Sequence, residues 1–442
     1  MNFHKLQEAC LAAGITEVEI YRVQIHGASV STFNGAVDKN IVYNRDEMYV
    51  RGVYGGHIAS LYVERDEEDE IESIVRRLRD NAGVIESEDP YFIYGGSDSY
   101  PTLPEEENDY DCYSQADKIE ICRKMENYLR EHCAFVTTTR ASVDVDMETV
   151  SIENSSGLSV SRSGRDAGIA CSAVIKKDGD VKQGYYFDHV RRLGEINFEK
   201  LQKFAIDRPL SAIGASSMTS GTYPVVFENR MFASLLSCFL SMFSGDAVTK
   251  KLSLLGDKLG QKVFGENITL TDEPLLSESP AKVTFDDEGV AAADTVVVEN
   301  GVLKTFLHNL KTAKMLDAQS TGNGFKESSG GAGVRPTNLC LTRGEKSFDE
   351  MIADIENGVF ITQMMGQHAG VNAVSGAFNL QASGYRIENG KIAAPVTLIV
   401  VSGNILDVMN NVTEIASDFE VSGPIACGSV RIASLSVSGK EG

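Results

Sequence analysis

No apolar run long enough to cross a bilayer, about 18 residues or more, occurs in this sequence of 442 residues. Basic charge is also scarce. Lys and Arg total 41 against 63 Asp and Glu, a net charge of -22, so the surface as a whole repels phosphate backbones and anionic lipid. Neither nucleic acid nor a membrane is expected as a partner. The opening MNFHKLQEACLAAG carries charges where a secretory signal needs an unbroken apolar stretch, which predicts a cytoplasmic chain. The eight cysteines include no CxxC pair and no dense framework, which predicts reduced, mostly buried thiols. No two of the seven histidines lie at the spacing that puts ligands on one helical face, so a self-contained zinc site is not expected.

Apolar residues make up 42% of the chain, enough for about two domains of roughly 200 residues each. Residues 3–13 repeat apolar groups at helical spacing, and strands with Gly- and Asn-containing turns follow from residue 17 to 64. A second helix is expected from about Asp66 to Ala82, its acidic first turn facing the helix dipole, so the run Glu64–Glu72 reads as a solvated helix start. Residues 86–113 hold three of the ten prolines and read as a long surface excursion. A third helix is expected from about Gln115 to His132, followed by an antiparallel meander to about residue 187. Small and polar residues from Asp207 to Thr222 mark the boundary between domains 1–215 and 216–442. Beyond it, Asn229–Asp246 reads as one helix, N-capped by Asn229 and apolar nearly all round, hence buried. Two Glu-Asn-Gly hairpins, Glu299–Gly301 and Glu388–Gly390, lie among β-branched runs and predict a curved or barrel-like antiparallel sheet. The fold class is α+β: a mixed helix-and-sheet amino-terminal domain, then an antiparallel β domain carrying a buried helix.

Several segments invite a chemical reading, and each has a plainer one. Phe285–Gly289 places three carboxylates in a row, but adjacent side chains diverge and no EF-hand spacing follows, so a turn is preferred to a cation site. The glycine-rich stretches Ser320–Gly324 and Ser328–Gly333 lack a P-loop's Lys-Ser/Thr, and read as a flexible loop or lid. Cys340 and Cys427 share their half of the chain with His308 and His368, but no GxSxG elbow occurs and isolated cysteines are usually inert.

Ser244-Gly245-Asp246, Leu255–Gly260, Phe285–Gly289, Glu299–Leu303, Ser320–Asn323, Arg335–Asn338, Ser375-Gly376, Gly384-Tyr385 and Ser402–Asn404 follow one another in the order found in the TldD/PmbA family. The sequence resembles that family over nearly its whole length. The resemblance implies a two-subunit zinc peptidase in which TldD-type chains carry an HExxxH helix and TldE/PmbA-type chains lack it. Aligning Gly245-Asp246 with the Gly-Asp after the motif sets Leu236 and Ser241 at the histidine positions and Ser237 at the glutamate position. The family's third ligand is a cysteine near the carboxyl end, and Cys427 falls later than that ligand, so no metal ligand carries over. The chain resembles the TldE/PmbA type, for which the family implies no cofactor of its own, zinc in the partner and an enclosed cavity between subunits. It also implies unfolded peptide bound as an added strand, with roles in maturing a modified peptide antibiotic and degrading labile proteins. The family's older association with DNA gyrase finds no basic patch here to support it.

The reading that follows is a metal-free subunit of a cytoplasmic zinc peptidase complex, with Asn323, Arg335, His368, Asn372 and Ser375 proposed for the cavity wall. One alternative is a stand-alone peptidase using Cys427, Cys340 or His368 with a metal at an unrecognised site. Another is a peptide-binding homodimer that cuts nothing.

Overall fold

The computed structural model describes residues 1–63, 70–86, 90–103, 107–327 and 331–439. Most of the expected acidic run at Glu64–Glu72 therefore lies outside the described residues. The amino-terminal half is built on six antiparallel strands: β1 (Glu17–Phe33), β2 (Ala36–Tyr54), β3 (His57–Val63), β4 (Val136–Asn154), β5 (Ser159–Lys177) and β6 (Asp180–His189). Their order is β3-β2-β1-β4-β5-β6, and the sheet curls into a half-barrel. Two-residue turns join β1 to β2 and β5 to β6, with positive φ at both Asn34-Gly35 and Asp178-Gly179. These are the turns whose twist matches that of the flanking strands.

Period-two alternation gives the sheet two faces. On one, Val18, Ile20, Val50 and Leu61 pack under helices α1 (Phe3–Ala12) and α2 (Ile71–Ala82). On the same side, Val30, Val143 and Ile169 pack under α3 (Gln115–His132). The start of α3 is fixed by a capping box in which Ser114 and Asp117 satisfy each other's backbone N–H. The opposite face carries Glu19, Tyr21 and Ile152 towards the carboxyl-terminal half, where Tyr21, Ile152 and Leu158 enclose Phe285. The excursion at 86–113 takes part in this junction: Tyr100 donates to the Gly289 carbonyl at 2.8 Å, and Ser97 Oγ accepts from the Ala291 N–H. It is a joint between the halves as well as a surface segment.

The chain crosses between halves through a helical passage, Phe198–Gln202, a π-helical turn Lys203–Asp207, and Arg208–Ser211. Two guanidinium groups lie against the Phe204 ring, Arg208 at 4.1 Å and Arg230 at 4.6 Å. Each is paired to a carboxylate, Glu228 and Glu420 respectively.

In the carboxyl-terminal half, strands Asn357–Met365, Gly221–Phe227, Val430–Ser438, Lys391–Asn404 and Ala377–Glu388 close on themselves as a five-stranded barrel. The pairing of Asn357–Met365 with Gly221–Phe227 is parallel and the others are antiparallel. Sequence periodicity does not distinguish these, because parallel partners meet through distant chain connections. Both Glu-Asn-Gly hairpins form, with positive φ at Asn300-Gly301 and Asn389-Gly390. A second sheet contains Thr295–Glu299, Leu270–Asp272, Leu339–Leu341 and Ile425–Cys427. Between the sheets lies one large core that includes Phe227, Phe232, Leu236, Phe239 and Phe243. Among the described residues no helix is long and apolar enough to cross a membrane.

The segment expected as one helix from Asn229 to Asp246 is broken into a helix Asn229–Ser237, a 3-10 turn Leu240–Phe243 and a short helix Gly245–Thr249. Asn229 is the first helical residue rather than the cap, which is Glu228. The break has a local cause. Ser237 Oγ and Cys238 Sγ both donate to the Ser234 carbonyl, the acceptor that the Cys238 N–H would use in a continuing helix, and that N–H turns to Leu235 instead.

Barrel closure requires a bare backbone at Gly384, where a Cβ would overlap the Phe360 carbonyl oxygen of the facing strand. Gly384→Ala is expected to cost about 2 kcal/mol or more, read as a lower midpoint in denaturant unfolding. An unchanged midpoint would mean that the strands meet less closely there.

Candidate functional site

Two polar regions stand out, one open and one enclosed. The open one is a groove of about 710 Å³ lined by Met365, Gly366, Gly370, Asn372, Asn379 and Gln381, among others. Strand Ala377–Glu388 supplies one wall, burying Phe378 and Leu380 while Asn379 and Gln381 face outward. The opposite wall is the tight turn Gly366–Gly370, which leads into the short strand Val371–Asn372 paired with Ala377 and Phe378. The groove adjoins the Asn229–Ser237 helix: the Gln367 amide donates to Ser234 Oγ at 3.2 Å, and Phe378 packs edge-on against Phe239.

The three positions that the resemblance sets against HExxxH have distinct surroundings. Leu236 is fully enclosed in the core, Ser237 is half-buried with its hydroxyl on the Ser234 carbonyl, and Ser241 is exposed. A zinc ion does not fit this set, because Leu236 has no lone pair to offer and a serine hydroxyl is a poor neutral donor. Among the described residues no group of three or more His, Cys, Asp and Glu side chains is arranged to hold a metal.

Of the residues expected on a cavity wall, Asn372, Ser375 and His368 come together. Asn372 lines the groove and its Oδ1 accepts the N–H groups of Val374 and Ser375, while His368 is exposed on the Gln367–Gly370 turn. Asn323 and Arg335 lie elsewhere. Asn323 is buried, donating to Asp272 at 2.6 Å and to the Arg335 carbonyl, and the exposed Arg335 side chain stacks over Phe325 at 4.1 Å. Six of the eight cysteines are buried. Burial drives the Cys340 and Cys427 thiols well above their ordinary range, and an enclosed protonated thiol is no nucleophile. His308 is enclosed too, and burial lowers its affinity for a proton.

The enclosed region is a set of buried carboxylates that spacing alone did not reveal. Asp272 accepts backbone N–H groups from Thr337 and Asn338, and desolvation raises its proton affinity against those donors. Phe285–Gly289 forms the expected turn, with Asp286 Oδ1 accepting the N–H groups of Glu288 and Val290. Asp286 Oδ2 accepts from Gly324, Asp287 Oδ2 from Lys326, and Glu288 Oε2 from Leu310, each at 2.8 Å. The glycine-rich stretch is therefore not a free lid. Gly324–Lys326 pairs with Ala332–Val334 as a hairpin pinned by its own chain's carboxylates, while Ser328–Gly330 lie outside the described residues. Arg162 on β5 completes the site from the other half, meeting Asp287 at 3.0 Å and the Phe285 carbonyl at 3.0 Å. The sequence signal for this junction is faint: single charged residues, Glu19, Arg51 and Arg162, at inward positions of otherwise alternating strands.

Residues 220–439 match the carboxyl-terminal domain of the PmbA/TldA metallopeptidases, and residues 108–212 match their central domain. This chain belongs to the PmbA/TldD family. Among family members, metalloprotease PmbA of Escherichia coli O157:H7 is 26% identical over 62% of this chain and 58% of its own length. A metalloprotease of Methanothermobacter thermautotrophicus is 32% identical over 65% of this chain and 63% of its own. The chain thus spans less than two thirds of these curated relatives. The family's solved structures align more fully. A putative modulator of a DNA gyrase from Thermotoga maritima is 30% identical, with a TM-score of 0.90 over 99% of this chain and 100% of its own. TldE of Thermococcus kodakarensis shares the fold, at 22% identity and TM-score 0.89 over 98% of this chain and all of its own.

Leu236→Ala is expected to destabilise the chain by about 2–5 kcal/mol, as cavity formation in a packed core does. Ser241→Ala is expected to change stability by less than about 0.5 kcal/mol. Denaturant unfolding of both variants checks this, and equal effects would contradict the burial difference.

Proposed function

We propose that this chain is the metal-free, TldE/PmbA-like subunit of a cytoplasmic zinc peptidase that cuts unfolded peptides or matures a modified one. Its partner would be an HExxxH-containing TldD-like chain, which holds the zinc and supplies the base. The observation that carries the reading is the donor set at the aligned positions: a leucine sealed in the core, a serine spent on a backbone carbonyl and a serine in solvent. Such a set neither polarises a carbonyl nor activates water.

The groove beside that helix supports a binding role. Its polar residues are amides, Asn372, Asn379 and Gln381, which donate and accept hydrogen bonds without charge and so suit backbone groups of varied sequence. In this reading the chain contributes peptide-binding wall and the partner contributes chemistry.

Hydrolysis of an unfolded peptide, with zinc quantified in the same samples, tests the reading for this chain alone and mixed with its HExxxH paralogue. Zinc and cleavage are expected only in the mixture. Stoichiometric zinc or chelator-sensitive cleavage by this chain alone would overturn it. Gln381→Trp, which fills the groove, is expected to lower cleavage by the mixture at least about tenfold with the subunits still associated, a loss of about 1.4 kcal/mol in transition-state binding. Unchanged cleavage would remove the groove from the peptide path.

A further inference from the structure

Where the two halves meet, charge is enclosed without being fully paired. Three cations face four carboxylates: Arg51, Arg162 and Lys326 against Glu19, Asp286, Asp287 and Glu288. Glu19 on β1 is fully buried, bonded to Arg51 on β2 and to Asn154 at 3.2 Å. Asp287 is held by Arg162 and by the Lys326 N–H, and its charge helps burial to keep the Tyr21 phenol protonated. Among the described residues Asp286 and Glu288 accept only backbone N–H groups, Asp286 from Glu288, Val290 and Gly324 and Glu288 from Leu310, while Arg51 and Lys326 act on Glu288 through space. Lys326 reaches into this space from the glycine-rich hairpin. Its Nζ is enclosed, has no hydrogen-bond partner among the described residues, and lies 5.3 Å from the Tyr21 ring centre. It therefore offsets the carboxylates by field and not by contact. The count balances only if Asp286 and Glu288 together hold one proton, since an unbalanced buried charge is strongly disfavoured.

We propose that strand Gly324–Lys326 is a proton-gated clasp between the two halves, docked on the first sheet while Asp286 and Glu288 share a proton and loosened when that proton leaves. The clasp stands independently of the peptidase reading. Burial raises the proton affinity of both carboxyl groups; Glu288 adds to this at Asp286, while at Glu288 the Leu310 N–H, Arg51 and Lys326 oppose it and Glu19 reinforces it. The docked state thus keeps a proton that the exposed groups would release, and its stabilisation is present at low pH and lost as pH rises towards the raised values. Lys326 acts in the opposite sense. Burial and Arg51 push its ammonium down to about 8, against opposing pull from Glu19, Glu288 and Asp287. Above that pH the docked state releases a proton that the open state keeps, so loosening is greatest in mildly alkaline solution. Of the other titratable groups nearby, Glu148 on β4 and Glu327 beside Lys326 are solvent-exposed and add little, burial and Asp287 keep the Tyr21 phenol protonated, and Asp272 is enclosed with its own donors on Asn323, Thr337 and Asn338.

Hydrogen exchange of the full-length chain tests the clasp at the Leu310, Gly324 and Lys326 amides, which donate to Glu288, Asp286 and Asp287. Rates are normalised to unfolded peptide and followed from mildly acidic to mildly alkaline pH. Protection is expected to fall by up to about tenfold per pH unit, the limit for one linked proton. Glu288→Gln leaves three carboxylates facing three cations and still accepts the Leu310 N–H, so its protection is expected to be flat across the same range. Lys326→Met leaves four carboxylates facing two cations and is expected to loosen at lower pH than the natural chain. A flat profile in the natural chain, or an unchanged slope in the folded Glu288→Gln variant, would overturn the proposal. If Glu288→Gln does not fold, the direction of the Lys326→Met shift decides, and no shift or an upward one refutes it.

Discussion

Backbone N–H groups meeting buried carboxylates are the constraint on which the carboxyl-terminal half is built. Asp272, Asp286, Asp287 and Glu288 are all nearly or fully enclosed, and an enclosed carboxylate must be satisfied or neutralised. The chain satisfies them with the peptide N–H groups of residues 288, 290, 310, 324, 326, 337 and 338 and with the Asn323 side-chain amide. The composition of the 320–333 stretch follows from this. At Gly324 any side chain would press on the Glu288 carboxylate and the Asn309 side chain, so glycine is what allows the N–H to reach Asp286. An arrangement that elsewhere cradles a phosphate here cradles carboxylates of the same chain, which is why a P-loop reading of the segment fails chemically as well as by motif.

The two polar regions differ in what solvent does to them. The groove by Asn372 and Asn379 is open and neutral, so the exposed amides of Asn379 and Gln381 exchange water for a ligand at little cost, while Asn372 Oδ1 is already held by Val374 and Ser375. The junction by Asp287 and Lys326 is closed and charged, so its groups are spent on one another and sensitive to any change in their number. Binding by varied peptides suits the first, and coupling between halves suits the second.

What was legible in the sequence was whatever is decided within a few residues. Ser114 and Asp117 announce the start of α3, and paired Asn-Gly residues announce hairpins, because caps and primed turns are local bargains between side chain and backbone. The antiparallel meander of the first half follows from alternation along its strands, and the family from the order of short motifs. The break after Ser237 was missed because apolar periodicity continues through it, while the competing donors at Ser237 and Cys238 act on a single carbonyl. The parallel pairing of strand Asn357–Met365 with Gly221–Phe227 was hidden because its partners lie more than a hundred residues apart. The charged junction was hidden for the same reason: alternation tells that Glu19 points inward, not that a carboxylate row from residue 286 onward and a lysine at 326 come to meet it. Of the residues proposed for a cavity wall, Asn372 lines the groove with His368 and Ser375 in the adjoining segment, whereas Asn323 is turned inward by its bond to Asp272.

The hairpin turns have a chemical consequence of their own. At Asn34-Gly35, Asn300-Gly301 and Asn389-Gly390 the geometry demands a left-handed Asn followed by a residue without a side chain. This is also the pairing in which the carboxamide most readily cyclises onto the next peptide nitrogen and hydrolyses to aspartate or isoaspartate, part of why Asn counts as thermolabile. Each event adds a negative charge to an already acidic chain, and the isoaspartyl product lengthens the backbone by one carbon. At Asn389 that extra atom falls between strands Ala377–Glu388 and Lys391–Asn404, whose register sets one wall of the groove. The turns that make the strands easy to fold also give the protein a slow chemical clock.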